Sequence, residues 1–238
     1  MIHIQKLEKP DLKNVKMNCD GVIHDKLLKY PMIEEAFSTT SFNIVAGRMG
    51  QGKTSLLTAL VKTVFKKCFE TIYLFMPSNS RSSIENDIFG QNLPGDQLFD
   101  TLSFDNISNV YERLQKDSED DYHSLLIIDD FASQLKEKDI QQVLYKIITK
   151  MRHLRCTIFL LIQNYQALAK PLRELASNII MFNLGKSQNL KIFDEAIQIK
   201  KDKYDAIIDT CFVDPHDWIL INLHKSRSIY RKGDLVIF

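Results

Sequence analysis

The sequence predicts a three-layer α/β sandwich: a central, mainly parallel sheet between two layers of helices, closed by a C-terminal β-hairpin. Three observations carry that expectation. Short apolar runs alternate with amphipathic segments of helical length along most of the chain, the pattern of a parallel sheet with crossover helices. The 238 residues suffice for one such domain with a sizeable core, and are too few for two. A glycine-rich octapeptide, Gly47 to Thr54, lies where the first strong strand gives way to the first strong helix.

Taken in order, residues 1 to about 38 carry no clear periodicity and are expected to form an N-terminal extension packed on the core. Within it Met1-Ile2-His3-Ile4 could pair as a strand and Ile33-Glu34-Glu35-Ala36-Phe37 could form a helical turn. Residues 39–238 are read as one domain. Phe42-Asn43-Ile44-Val45-Ala46 predicts a buried strand, and Leu56, Leu57, Leu60, Val61, Val64 and Phe65 share one face of a helix over 53–68. There follow a strand at 71–76, a helix near 106–117, a strand at 124–129, a helix at 139–153, a strand at 157–162, a short helix from Pro171 and a strand at 178–183. Gly90 to Asp105, with Pro94-Gly95, reads as a surface loop. Residues 185–238 complete the same domain: amphipathic patterns at 187–199 and 202–211, the apolar run Trp218 to Leu223, and a hairpin from Ser228 to Phe238 turning at Arg231-Lys232-Gly233-Asp234.

Composition narrows the class. A chain 45% hydrophobic and 26% charged is ordinary for a globular protein, and runs such as Ile158 to Ile162 are far too short to span a bilayer, so no membrane partner is expected. The first nine residues lack the apolar core and cleavage site of a signal peptide, which predicts work inside a cell. Cys19, Cys68, Cys156 and Cys211 are widely separated and suggest reduced thiols rather than a disulfide framework or a metal site. A formal net charge of +1 gives no global footprint for nucleic acid, so any grip on DNA must come from local patches or from an assembly.

Gly47-Arg48-Met49-Gly50-Gln51-Gly52-Lys53-Thr54 fits the phosphate-binding pattern G-x-x-x-x-G-K-[ST] at every fixed position and holds three of the eight glycines. Glycines let backbone N–H groups turn inward around phosphates, and the following helix presents the positive end of its dipole. Lys53 reaches the β/γ oxygens and Thr54 ligates magnesium, so the loop from Gly47 through Ser55 predicts a nucleoside triphosphate site. Leu125-Leu126-Ile127-Ile128-Asp129-Asp130 is an apolar strand ending in two carboxylates, the form of a Walker B element. Asp129 is expected to hold magnesium. Asp130 is expected to accept a proton from the attacking water or orient it, with one methylene fewer than the more usual glutamate. No Asn-Lys-x-Asp guanine-reading motif is present, which argues against a Ras-like GTPase, and the stretch after Pro171 offers only Arg173 where a small-molecule kinase carries an arginine-rich lid.

Gln163 closes the strand Thr157 to Ile162, and Met151-Arg152-His153 lies upstream of it. Together, Gly-Arg-Met-Gly-Gln-Gly-Lys-Thr, the strand ending in paired aspartates, Arg-His, the strand ending in Gln163 and Pro171-Leu172-Arg173 resemble the genome-packaging ATPases of large DNA viruses and their virophages, within the FtsK/HerA superfamily of RecA-like P-loop NTPases. The resemblance covers roughly residues 40 to 238, and the compact size without a nuclease domain is similar to a virophage enzyme. It implies a motor that hydrolyses ATP with Mg2+, assembles as a homo-oligomeric ring around double-stranded DNA and pumps the genome into a capsid, in the host-cell cytoplasm at the virus factory with the virion as a further location. It implies that Gln163 senses the γ-phosphate and that Arg152 is the finger acting on a neighbouring subunit, with Arg155 and Arg173 as substitutes. The end of the helix carrying Arg152 is expected toward the edge of the sheet, away from its own phosphate loop. Arg81, Lys136 and Lys138 stand in polar loops that could line a pore. Two other classes compete: a nucleotide-gated partition or assembly switch, and a small-molecule phosphotransferase.

Overall fold

The structure, a computed structural model, describes residues 2–5, 37, 40–63, 65, 68–82, 89, 92–197, 200–223, 228–231 and 234–237. In chain order the strands are β1 (His3–Gln5), β2 (Phe42–Ala46), β3 (Thr71–Phe75), β4 (Leu98–Phe99), β5 (Ser124–Asp129), β6 (Cys156–Ile162), β7 (Asn178–Phe182), β8 (Trp218–Asn222), β9 (Ile229–Arg231) and β10 (Asp234–Ile237). The helices are α1 (Lys53–Thr63), α2 (Ser78–Ser82), α3 (Phe104–Glu119), α4 (Lys138–Lys150), α5 (Lys170–Arg173), α6 (Lys186–Ala196) and α7 (Asp202–Cys211).

All ten strands join one sheet in the order β1-β10-β9-β8-β7-β2-β6-β5-β3-β4. From β4 to β7 the pairing is parallel, and from β7 onward through β8, β9, β10 and β1 it is antiparallel. The central strands read as unbroken apolar runs because both faces are covered. On β6, Ile158, Leu160 and Ile162 pack under α3 and α4 with Ile107, Val110, Ile147 and Ile148, and α6 and α7 extend this layer through Phe193 and Ile207. Phe159 and Leu161 point the other way, toward Leu57, Leu60 and Val61 of α1. This alternation makes the three layers. The register of β2, β7 and β8 is pinned by a buried asparagine ladder: Asn178 donates to Asn43 Oδ1 at 2.8 Å, and Asn222 donates to Asn178 Oδ1 at 3.1 Å.

Four differences from the sequence reading have physical causes. The helix expected over 53–68 ends at Thr63, after which Phe65 N–H turns back to Leu60 O and Cys68 N–H to Phe65 O. The helix expected to 153 closes at Lys150; Arg152 lies in the turn that follows, and Arg155 adopts a left-handed backbone (φ 47°) before β6 begins. The expected loop at 90–105 contains β4, whose Phe99 ring stacks on Phe75 of β3 at 4.6 Å, and the start of α3, where Ser103 Oγ accepts from Asn106 N–H. The polar stretch after β3 forms α2 rather than a loop.

At the N-terminus β1 pairs with β10, His3 opposite Ile237. The hairpin forms with Arg231 opposite Asp234. Its turn residues 232–233 and the expected helical turn over 33–36 lie outside the described residues.

Candidate nucleotide site

Parallel pairing brings the C-terminal ends of β2, β5 and β6 to one edge of the sheet, with Ala46 opposite Ile162 and Asp129 opposite Leu161. The chain leaves β2 through Gly47, whose N–H donates to Ile162 O at 3.0 Å, and turns into α1 at Lys53. Gly52, at φ 97°, adopts a backbone open to glycine and closed to most residues, which lets the loop curl over the helix N-terminus. Lys53 is largely buried, and its Nζ donates to Arg48 O at 3.2 Å inside the curl. Burial lowers its pKa from the ordinary lysine value, opposed by the charges of Asp129 and Asp130.

Facing the loop, Thr54 Oγ1 donates to Asp129 Oδ2 at 2.7 Å. Burial at the end of β5 raises the Asp129 carboxyl to about 6, opposed by the Thr54 hydroxyl and by Lys53. A hydroxyl and a carboxylate meeting at one point beside a lysine form a hard-oxygen donor set that suits magnesium, which takes few protein ligands and keeps its waters. Asp130 is exposed, with a left-handed backbone (φ 66°). Its Oδ1 accepts from Gln163 Nε2 at 2.7 Å and its Oδ2 from Ser80 Oγ at 3.2 Å. Loop, carboxylates and Gln163 line a cleft of about 780 Å³, within the range of small-molecule sites. Lys53, Thr54, Asp129, Asp130 and Gln163 are thus brought together, with Gly50, Ser55 and the exposed Met49 at the rim.

Other contacts were not legible in the sequence. The loop after β7 braces the phosphate loop from outside: Arg48 Nη2 donates to Leu184 O at 2.6 Å, and Gln51 Nε2 donates to Asn183 O at 2.8 Å. Gly185 (φ 93°) makes room, since a Cβ there would come within 2.6 Å of the Arg48 guanidinium. Asn189 locks this second loop by accepting from Leu184 N–H and donating to Asn183 Oδ1. His216 Nδ1 lies 3.2 Å from Gln51 O. An isolated glycine between a strand and a helix was the available signal for Gly185; nothing local marked Ser80 or His216.

The three candidate finger arginines lie apart from this cleft. Arg152 is exposed, and among the described residues it makes no ion pair. Its strand β6 is interior, flanked by β2 and β5, so the expected position at the sheet edge is corrected. Arg152 is remote from its own phosphate loop for another reason: it stands before the N-terminal end of β6, on the order of 20 Å from the end that bears Gln163. Arg155 pairs with Asp121 at 2.7 Å. Arg173 is buried, doubly bonded to Glu195 at 2.9 Å and stacked over Tyr165. Arg81 pairs with Asp100, while Lys136 and Lys138 are exposed.

A parallel sheet with a glycine-rich loop at the end of β2 and paired carboxylates at the end of β5, with β6 between them, defines a P-loop NTPase. The family model described as Poxvirus A32 protein matches residues 32–213, and the chain belongs to that family. Among solved structures the fold is similar to the genome packaging NTPase B204 from Sulfolobus turreted icosahedral virus 2 in complex with ATP-gammaS, with 14% identity, TM-score 0.64, and coverage of 82% of this chain and 98% of that one. It is similar also to B204, the DNA-packaging ATPase from Sulfolobus Turreted Icosahedral Virus, with 14% identity, TM-score 0.61, and coverage of 80% and 96%. The conjugation coupling protein TcpA of pCW3 with ATPgS follows at 11% identity and TM-score 0.55, with coverage of 81% and 60%. Comparison with curated protein sequences found no significant match. Among the described residues no helix is long and apolar enough to cross a membrane.

Proposed function

We propose that this chain is a genome-packaging ATPase that couples ATP hydrolysis to movement of double-stranded DNA into a viral capsid, working as a homo-oligomeric ring in the host cytoplasm and at the virion. The observation that carries the chemistry is the bond from Gln163 to Asp130, beside the Thr54–Asp129 pair and Lys53 at the same sheet edge. Membership of the poxvirus A32 family and the fold shared with B204, a packaging NTPase solved with ATP-gammaS, support the direction of that chemistry.

In this reading the Gly47–Ser55 backbone cradles the phosphates of ATP and Lys53 leaves Arg48 O to meet the β/γ oxygens. Thr54 and Asp129 hold magnesium, which when bound neutralises charge on the β- and γ-oxygens. Asp130 takes the proton of the attacking water. Gln163 moves its amide from Asp130 to the terminal phosphate and so reports whether that phosphate is present. Arg152 acts on the neighbouring subunit; Arg155 and Arg173 are each engaged in a pair of their own, which supports that choice. The buried Arg173–Glu195 pair also disfavours the phosphotransferase reading, because it takes from the stretch after Pro171 the one arginine that could cover a donor phosphate.

Phosphate release and nucleotide binding by purified variants test the assignment. Lys53→Ala is expected to lose both, because it removes the charge facing the β/γ oxygens. Asp130→Asn is expected to bind ATP as the parent does and to lose turnover by about a hundredfold or more, the usual worth of a general base. Normal turnover in Lys53→Ala, or joint loss of binding and turnover in Asp130→Asn, would overturn the respective roles.

A further inference from the structure

We infer that the turn before β8, held from the C-terminal hairpin through Asp217 and Arg231, is the wall that receives the nucleoside end of the triphosphate, and that His216 on it stacks against the base. The inference rests on the reading of Gly47–Ser55 as the phosphate cradle. That cradle fixes the direction of the ligand. The Thr54–Asp129 pair and Gln163 mark the terminal-phosphate end, on the side of the loop where β6 and β5 lie. The phosphates are laid along the loop, so ribose and base leave on the opposite side, where β7 and β8 lie. Antiparallel pairing of Phe182 with Trp218 brings the chain before β8 to this same sheet edge, and His216 Nδ1 reaches Gln51 O of the phosphate loop at 3.2 Å.

The turn is built to hold still. Asp214-Pro215-His216-Asp217 closes with Asp217 N–H donating to Asp214 O at 3.0 Å, and Pro215 stands second, where its fixed φ suits a β-turn. Asp217 is fully buried, and its Oδ2 accepts from Val213 N–H at 2.9 Å, Asp214 N–H at 2.8 Å and the Arg231 guanidinium at 3.1 Å. Arg231 of β9 also donates to Cys211 O at 3.2 Å, at the end of α7, so the segment is clamped to the hairpin on both sides of the turn. What this rigid segment presents is exposed: Val213, Pro215 and His216. A carbonyl oxygen only accepts, so the His216 proton sits on Nδ1 toward Gln51 O, and the neutral ring keeps Nε2 as an acceptor. An aromatic ring fixed beside the phosphate loop, with an apolar neighbour and an acceptor nitrogen, has the chemistry that meets a nucleobase: a face to stack on and a partner for an amino group. Its preorganisation lowers the ordering cost of binding.

Two ligands that differ in the nucleoside test this on the full chain: ATP and inorganic tripolyphosphate, each with magnesium and followed by titration calorimetry, with phosphate release from ATP run alongside. His216→Ala is expected to raise Kd and KM for ATP about tenfold, the worth of one base stacked on a ring, while kcat at saturation and the affinity for tripolyphosphate stay those of the parent. His216→Phe keeps a stacking face and is expected to recover most of the ATP affinity. Arg231→Met, which unclamps the turn from the hairpin, is expected to weaken ATP in the same direction and to spare tripolyphosphate. ATP bound by His216→Ala at the parent's affinity, or an equal loss of both ligands, would overturn the wall; the equal loss would make His216 a support of the phosphate loop. Lys53→Ala separates the two readings: tripolyphosphate bound as well by that variant as by the parent would remove the phosphate cradle itself, whatever His216→Ala does.

Discussion

Asp130 holds its carboxylate beside the cleft although its side chain is shorter than the glutamate more usual at such a position, and it does so from a left-handed backbone (φ 66°) that aspartate tolerates better than most residues. The donors on its two oxygens, Gln163 and Ser80, then fix the carboxylate at the cleft. That Lys53, Thr54, Asp129 and Gln163 meet at one cleft was legible in the sequence because local position sets it: the end of a strand, the start of a helix. Ser80 at the cleft and the bond from Arg48 to Leu184 were not, because the partners lie 50 and 136 residues away along the chain. Arg152 carries the residue-scale prediction. Since it stands at the far end of β6 from its own phosphate loop, a finger there serves only a neighbour, and fingers supplied in trans are worth about 10³ to 10⁵ in rate. Arg152→Ala should bind ATP and hydrolyse it poorly, and mixing it with Lys53→Ala should restore activity, since an intact loop then meets an intact finger. Phosphate release recorded against mixing ratio reads this out. A flat background in confirmed mixed assemblies would make Arg152 a solvated turn residue.

Strands β2 and β5 and helix α7 fall where the sequence places them, because two-sided burial writes a strand as a continuous apolar run and one-sided burial writes a helix at its own period. The end of α4 misled because the apolar period of Ile140, Leu144, Ile147 and Ile148 continues through Met151 to Leu154, while the backbone leaves the helix at Lys150. β4 was hidden because two residues are too few to show any period. The brace from the β7–α6 connection to the phosphate loop gives an element-scale test. Gly185→Ala puts a methyl within 2.6 Å of the Arg48 guanidinium on a backbone at φ 93°, and is expected to cost about 1–3 kcal/mol. Urea unfolding should detect that loss and ATP titration a weaker affinity, because Arg48 must leave Leu184 O; wild-type values in both would remove the brace from the site. The asparagine ladder gives another. Asn178→Leu removes the donor to the buried Asn43 Oδ1 and the acceptor of Asn222 Nδ2 and is expected to destabilise by about 1–3 kcal/mol, visible as a lower urea midpoint.

At the scale of the molecule, the parallel half of the sheet builds the cleft, and the antiparallel half from β8 to β1 widens the core without contributing carboxylates to it. Among the described residues both edge strands are short, β4 with two residues and β1 with three, which limits unwanted strand pairing. A ligand that binds the folded cleft stabilises the whole chain by mass action, about 2.7 kcal/mol at a hundredfold excess over Kd. ATP with magnesium should therefore raise the melting temperature of the parent and leave that of Lys53→Ala in place; equal shifts in both would put the nucleotide elsewhere. The fold and the chemistry of hydrolysis were legible from strands and motifs. The DNA partner was suggested by the resemblance alone, because a net charge of +1 leaves no global footprint for nucleic acid. The most direct measurement of the packaging assignment is phosphate release by the purified parent with ATP and magnesium as linear duplex DNA is titrated in. A several-fold acceleration that saturates with DNA and is absent in Lys53→Ala is the expected result. A slow rate indifferent to DNA, or one that responds instead to a small phosphate acceptor, would contradict it.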